Sequence, residues 1–320
     1  MAPFKSSLAK SAGKLFGVFR EADLSLRGAT QISRTPPPPP FIATGGTKID
    51  DPDGYSYHFF TSNDNFVTNV PGPIDYVIVG GGGAGAGQPG GNNYGGGGAG
   101  AGGVRTGSLT IGTGTNPVVI GATKSGAAAY PGAVGNPSVA FGVTAQGGGS
   151  GGGYNQANVE YNGGSGGGAP HYNSSNNGIG DRVTGTTNPA PDQGNDGGTG
   201  GNSASGGGGG AGGVGGNSSS PGVGGKGGLG IAIPGWAIPP SYGTPGPSGP
   251  LRYFAGGGGG GGNGTGGAAP DAGGGGVGSN DANAGDATAN TGGGGGSAAG
   301  NGELTGGDGG SGIVICRYNT

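Results

Sequence analysis

The stretch with the most suggestive chemistry is Asp75-Tyr-Val-Ile-Val79 followed by Gly80-Gly-Gly82-Gly-Ala-Gly85. An apolar strand running into a G-x-G-x-x-G turn is how flavin and nicotinamide sites offer backbone N–H groups to a pyrophosphate, which then rests on the N-terminus of a following helix. Here the chain continues Gln88-Pro89-Gly-Gly-Asn-Asn-Tyr94-Gly, which cannot propagate a helix, and no second βα unit occurs. Among 96 glycines in 320 residues, such a match arises from composition alone. Other reactive types are sparse. His58 falls in an alternating strand pattern and His171 in a loop, with no second histidine at ligand spacing. The acids occur singly or in turn-like contexts, as at Asp50-Asp51, Asp192, Asp196 and Asp308. The single cysteine, Cys316, lies on an apolar strand and reads as an inert core thiol; alone it allows neither an internal disulfide framework nor a zinc cluster. Calcium at loop carboxylates stays open, although no EF-hand or nonapeptide repeat is present. These residues make no catalytic set, so the chain is expected to be a non-enzyme without a cofactor.

Composition sets the elements that must hold any site. Only 30% of the chain is apolar, and ordering a backbone costs roughly 1–2 kcal/mol per residue, most of all for glycine. An ordinary side-chain core cannot offset that cost here. Either the chain is disordered or it is ordered by hydrogen bonds between closely packed backbones, where a Cβ would hold neighbours apart. The glycine-dense reach from Gly206 to Gly312 favours the second. Within it Ala211, Val214, Val223, Lys226 and Leu229 keep a three-residue register, the period of polyproline II and its polyglycine equivalent. On such a helix they share one edge.

Taken in order, residues 1–34 have a helical pattern: Leu8, Ala12, Leu15 and Phe19 follow spacings of four and three, with Phe16 beside them. A short amphipathic docking helix is expected; a membrane-surface helix, an organellar presequence and a frayed terminus are the competing readings. Residues 1–40 hold six bases and two acids, so the rest of the chain carries −7 within the total of −3. A basic patch on the glycine body, and with it nucleic-acid binding, is disfavoured. No apolar run approaches the roughly 20 residues of a membrane span. Pro36 to Pro40 make a stiff spacer inside a linker at 35–46, and the body is read as 47–320.

That body should open with a strand at Tyr55–Phe60, a turn at Asn63-Asp64-Asn65 and a return through Phe66-Val67-Thr68. Ile74–Val79 reads as a strand, Leu109–Ile111 and Val118–Ile120 as a hairpin, Ser138–Ala145 as a further strand, and Ile313–Tyr318 as the closing one. The fold class expected is mainly β with polyglycine-II helices: a small sheet or sandwich capping a packed glycine lattice, preceded by the short N-terminal helix. Two side-chain-rich islands interrupt the glycine. One holds Tyr154, Tyr161, His171, Tyr172 and Arg182; the other, expected to bulge outward, holds Trp236, Tyr242 and Arg252. They are the candidate contact residues, with coverage of exposed helix ends as the competing role.

The order of these features resembles the glycine-rich domain of bacteriophage tail-fibre and adhesin proteins. The series runs Tyr57-His-Phe-Phe-Thr-Ser62, Asp75–Val79 into polyglycine, Ala101-Gly-Gly-Val104-Arg-Thr-Gly107-Ser-Leu-Thr-Ile111, and Gly135-Asn-Pro-Ser138-Val-Ala-Phe141-Gly-Val-Thr144. It continues with Tyr253-Phe-Ala-Gly256, Ala289-Asn-Thr-Gly292 and Gly309-Gly-Ser-Gly312-Ile-Val-Ile-Cys-Arg-Tyr318. Such domains look like the tip adhesins of T-even-like long tail fibres. The resemblance implies a virion surface protein whose glycine lattice is scaffold. Its loops 154–205 and 231–254 would contact a host glycan or outer-membrane protein, and residues 1–40 would dock on other virion proteins through Leu8, Ala12, Leu15, Phe16 and Phe19. A capsid or neck decoration protein, and more remotely a wall or silk-like protein, are the alternatives; homo-oligomerisation is left open.

Overall fold

The computed structural model describes residues 38–90, 95–154, 162–171, 193–201, 203–219 and 222–320. The chain divides into two compact units, Met1–Phe41 and Ile42–Thr320, and the strands among the described residues lie in the second. The expected N-terminal helix, with Leu8, Ala12, Leu15, Phe16 and Phe19, lies outside the described residues. Among the described residues the fold is mainly β, without a helix.

Alternation of apolar side chains produces two five-stranded antiparallel sheets. The first contains β1 (Ala43–Thr44), β4 (Asp64–Thr68), β8 (Gly114–Val119), β9 (Ser138–Ala140) and β10 (Val143–Ala145), in that order. The second is ordered β2 (Thr47–Asp50), β3 (Tyr55–Phe60), β14 (Ile313–Asn319), β5 (Gly72–Val79) and β7 (Val104–Ile111); the short strands β6 (Gln88–Pro89) and β13 (Glu303–Leu304) pair only with each other. Strand β14, last in the chain, thus pairs on both sides, with β3 and β5. The first sheet covers one face of the second: His58, Phe60, Tyr76 and Tyr318 point into this sandwich and meet Phe66 or Phe141, or, for Tyr318, the ring of His58. Burial on both faces explains why β3, β5 and β14 read as nearly continuous apolar runs.

Several local readings are corrected by this topology. The first return strand does not pair with β3, because Phe66 belongs to the other sheet, paired with β8. Leu109–Ile111 and Val118–Ile120 form no hairpin either; β7 pairs with β5, and the chain crosses to the other sheet through Gly112. Ser138–Ala145 is two strands with a tight turn at Phe141 and Gly142, whose φ values are 56° and 76°. Phe141 accepts that strained backbone because its ring packs 5.7 Å from Phe66. The folded unit also takes in Ala43–Thr44, inside the span read as linker.

Beyond the sandwich the strands continue into glycine and the hydrogen-bond repeat changes. From Val79 the partnership of β5 and β7 extends through Gly80 N to Gly103 O (2.9 Å) and Gly83 N to Gly100 O (3.0 Å). Between these, Gly81 donates to Asn136 and Gly82 to Gly310; Ala84 and Gly85 then return to the same two segments at Ala133 and Gly307. Each segment therefore donates to three neighbours in turn, and every third residue meets the same one. The pattern recurs at 256–262, where Gly256 and Gly259 reach Gly273 and Gly276, Gly257 and Gly260 reach Gly228 and Gly225, and Gly258 and Gly261 reach Ala99 and Gly96.

This arrangement needs backbones in contact on several sides at once. A methyl at Gly82, Gly97, Gly98 or Gly208 would overlap the carbonyl of Gly293, Gly168, Gly258 or Ala99 respectively. At some positions acidic and amide side chains of an adjacent segment supply the acceptor. Thr305 N donates to Asn283 Oδ1 (2.9 Å), Asp308 N to Asp286 Oδ1 (2.8 Å), and Gly126 N to Asp308 Oδ1 (2.7 Å). The steps 283 to 286 and 305 to 308 keep the three-residue period. The expected common edge of Ala211 to Leu229 is not one helix edge. The chain reverses after Asn217, so that Gly216 N donates to Lys226 O (2.7 Å), Val214 is exposed, and Lys226 pairs with Asp271 (2.6 Å).

A Cβ at Gly215 would stand 2.7 Å from Gly198 N, and one at Gly224 2.6 Å from Gly267 N, whereas Gly112 has open space. Gly215→Val and Gly224→Val are each expected to lose about 1–3 kcal/mol or more through overpacking. Val214→Ala and Gly112→Ala should stay within about 0.5 kcal/mol. Denaturant midpoints of the four variants check this, and equal midpoints would refute close backbone packing.

The buried imidazole of His58 makes stability depend on pH. Its ring stacks on Tyr318 at 5.7 Å and meets Phe66 edge-on at 5.2 Å. Nδ1 lies 2.7 Å from the Gly45 carbonyl and so donates to it, while Nε2 has no hydrogen-bond partner among the described residues. Desolvation holds the group below its usual 6.5, against the opposing pull of the Gly45 carbonyl. Burial also lowers His171. Both folded values lie below the unfolded one, so this contribution is complete above pH 6.5 and is lost as pH falls below it. Equilibrium unfolding of wild type should weaken over that interval, and the double variant His58→Phe/His171→Phe should lose that slope.

Candidate functional site

The outer face of the second sheet carries Tyr57 and Phe59 from β3, Val77 and Val79 from β5, and Ile313 and Ile315 from β14. A loop of the glycine body covers it. The loop leaves at β11 (Ile231–Ala232) and returns at β12 (Tyr253–Phe254), which pair with each other. It does not bulge outward. Ile233 and Ile238 are buried against the sheet, and the ring of Tyr242 lies flat on Phe59, 4.2 Å away at 3°. Trp236 meets Tyr57 edge-on at 5.8 Å.

Two arginines fasten this cover. Arg252 ties the loop to itself, donating through Nε to Tyr242 O (2.8 Å) and through Nη2 to Pro240 O (2.9 Å) and Gly243 O. Arg317, on β14, ties it to the sheet. Its guanidinium lies 4.4 Å from the ring centres of both Tyr55 and Trp236. It also donates to Asp75 Oδ2 (3.1 Å), to the Tyr57 hydroxyl (3.2 Å) and to Gly235 O. Its pKa is raised: the bonds to Tyr57 and Asp75 outweigh desolvation, which acts the other way. With Nε and Nη1 committed to the sheet and the loop, Arg317 acts as a clamp between them. What the cover offers outward is its exposed prolines and backbone, including Pro234, Pro240 and Ser241, held rigid by the aromatic rings behind.

Of the residues singled out by sequence, the structure brings together Trp236, Tyr242 and Arg252 in this cover. Tyr154 lies elsewhere, 6.5 Å from the ring of Tyr130, and His171 is buried with its N–H on Gly95 O (3.1 Å). Tyr161, Tyr172 and Arg182 lie outside the described residues. Sequence reasoning passed over Tyr55, Asp75 and Arg317. Strand alternation places Arg317 on the face of Ile313 and Ile315, but nothing local shows that a loop some 80 residues earlier will land on it.

The dinucleotide-like run finds no phosphate cradle here, because the N–H groups of Gly80 to Gly85 are spent on Gly103, Asn136, Gly310, Gly100, Ala133 and Gly307. Among the described residues no three His, Cys, Asp or Glu side chains gather as metal ligands, and no helix could cross a membrane. Cys316 is fully buried and desolvation raises its thiol pKa strongly. The family comparison agrees with the backbone: a model of the glycine-rich domain matches residues 61–319, and the chain belongs to that family. No curated protein matches it.

Arg317→Met keeps the stem but removes the charge and the planar donors. It is expected to loosen the cover, shift Trp236 emission to the red and cost about 1–2 kcal/mol, as partly desolvated cation–π contacts do. Unchanged emission would show that the clamp does not hold the loop.

Proposed function

We propose that the glycine segments are polyglycine-II helices. We further propose that the body they build belongs to a bacteriophage virion protein, a tail-fibre or fibre-tip adhesin displayed through its N-terminal segment. The three-residue hydrogen-bond repeat supports the first half, since a left-handed extended helix has three residues per turn. The observation that carries the second is the division of labour within the body. Glycine segments spend their backbone groups on one another, while the residues with reach collect in loops such as 231–254. Such a body can vary its loops without disturbing its scaffold, as recognition proteins do. A cover fixed by Arg252 and Arg317 before contact loses little entropy on binding. In this reading residues 1–40 dock on other virion proteins, loops 154–205 and 231–254 meet a host glycan or outer-membrane protein, and the protein sits on the virion surface without entering a membrane or binding nucleic acid.

Host cells pre-incubated with the purified full-length protein are challenged with the phage that carries it, and unadsorbed particles are counted. Adsorption should fall in proportion to occupancy, and a loop variant such as Pro240→Glu should compete less well. Undiminished adsorption with folded protein would instead assign it to decoration of the capsid or neck.

A further inference from the structure

The four edges of the two large sheets are not treated alike. Strands β1 and β10 are two and three residues long, too short to template a partner. Strand β2 has four residues and carries Lys48 and Asp50, paired at 3.0 Å. Short length and charge are the usual protections of a sheet edge. Strand β7 has neither: it runs for eight residues, Val104–Ile111, in unbroken register with β5, with no proline, no bulge and one charge, Arg105, near its start. Among the described residues its outer edge meets another segment only at Val104, whose N–H reaches Gln193 O at 3.0 Å. From Arg105 to Ile111 no neighbour among the described residues takes the outward backbone groups. Thr106, Ser108 and Thr110 are exposed on one face of this strand.

We propose that β7 is a homodimer edge, pairing antiparallel with β7 of a second copy to join two five-stranded sheets into one. The strand is complementary to itself. A twofold axis perpendicular to the sheet keeps each side chain on its own face, and centring it on Ser108 sets Ser108 opposite Ser108 and Thr106 opposite Thr110. Hydroxyl pairs of this kind are favourable cross-strand neighbours. On the other face Gly107 meets Leu109, and Arg105 meets Ile111 rather than another arginine. No acid lies on the strand itself; the nearest carboxylate, Asp75 of β5, takes the Ser108 hydroxyl at 2.5 Å and is balanced by Arg317 at 3.1 Å, so pairing two copies does not set bare like charges together.

The full-length protein is followed by sedimentation across a wide concentration range, with Trp236 emission reporting that the fold is kept. Wild type should reach the mass of two chains. Ser108→Lys, which sets two ammonium groups face to face, should remain a folded monomer. Ser108→Cys should give a covalent dimer under mild oxidation, because paired strands hold Cα atoms about 4.5–5.5 Å apart, within disulfide reach, and Cys316 is buried. A monomeric wild type, or a Ser108→Lys protein of unchanged dimer mass, overturns the proposal. A dimer whose Ser108→Cys form does not cross-link overturns this pairing.

Discussion

Backbones that lie against one another with no Cβ between them are the condition on which this fold depends. A peptide unit can offer its N–H to a remote neighbour at nearly every residue only if the neighbours on each side come within hydrogen-bond distance of the main chain. One methyl group in the wrong place prevents it, as the overlaps at Gly82, Gly98 and Gly208 show. Glycine is therefore what makes the interior possible, although each one gives up about 1 kcal/mol more conformational freedom than alanine would. The net gain per hydrogen bond is about 1 kcal/mol, close to the ordering cost of a residue. The glycine layers are near balance by themselves.

The sandwich tips that balance. Phe59, Phe60, Phe66, Ile78, Ile313 and Ile315 are wholly or almost wholly withdrawn from water, each contributing about 1.5–3 kcal/mol of apolar burial. Strands β5, β7 and β14 run directly into glycine segments, so the apolar sheets set the spacing at which those segments start. Elsewhere Asn283, Asp286 and Asp308 finish the backbone pattern with side-chain oxygens. Core, layer and these side-chain acceptors are solutions to one demand, that buried N–H groups find acceptors.

The cover over the second sheet follows from the same arrangement. Tyr57, Phe59, Val77 and Ile315 lie on the face turned away from the first sheet and require a lid. The loop at 231–254 supplies it with Trp236 and Tyr242, and Arg317 makes the junction specific by using both its faces and its edge. Residues chosen as contact candidates for their chemistry thus also stabilise the loop. Recognition by this surface would use the rim that they hold in place.

Glycine content, the alternating strands and the closing Ile313–Tyr318 were legible in the sequence, because local periodicity follows from which backbone geometry a residue can adopt. The placement of Phe66 in a second sheet, the split at Phe141-Gly142, the reversal after Asn217 and the inward fold of Trp236 were not. Each is a choice of partner between distant segments, and glycine segments are nearly identical as partners. Sequence alone determined that an ordinary side-chain core could not order most of this chain. The tertiary structure decided which segments meet, since that depends on where the few large apolar side chains can be buried together.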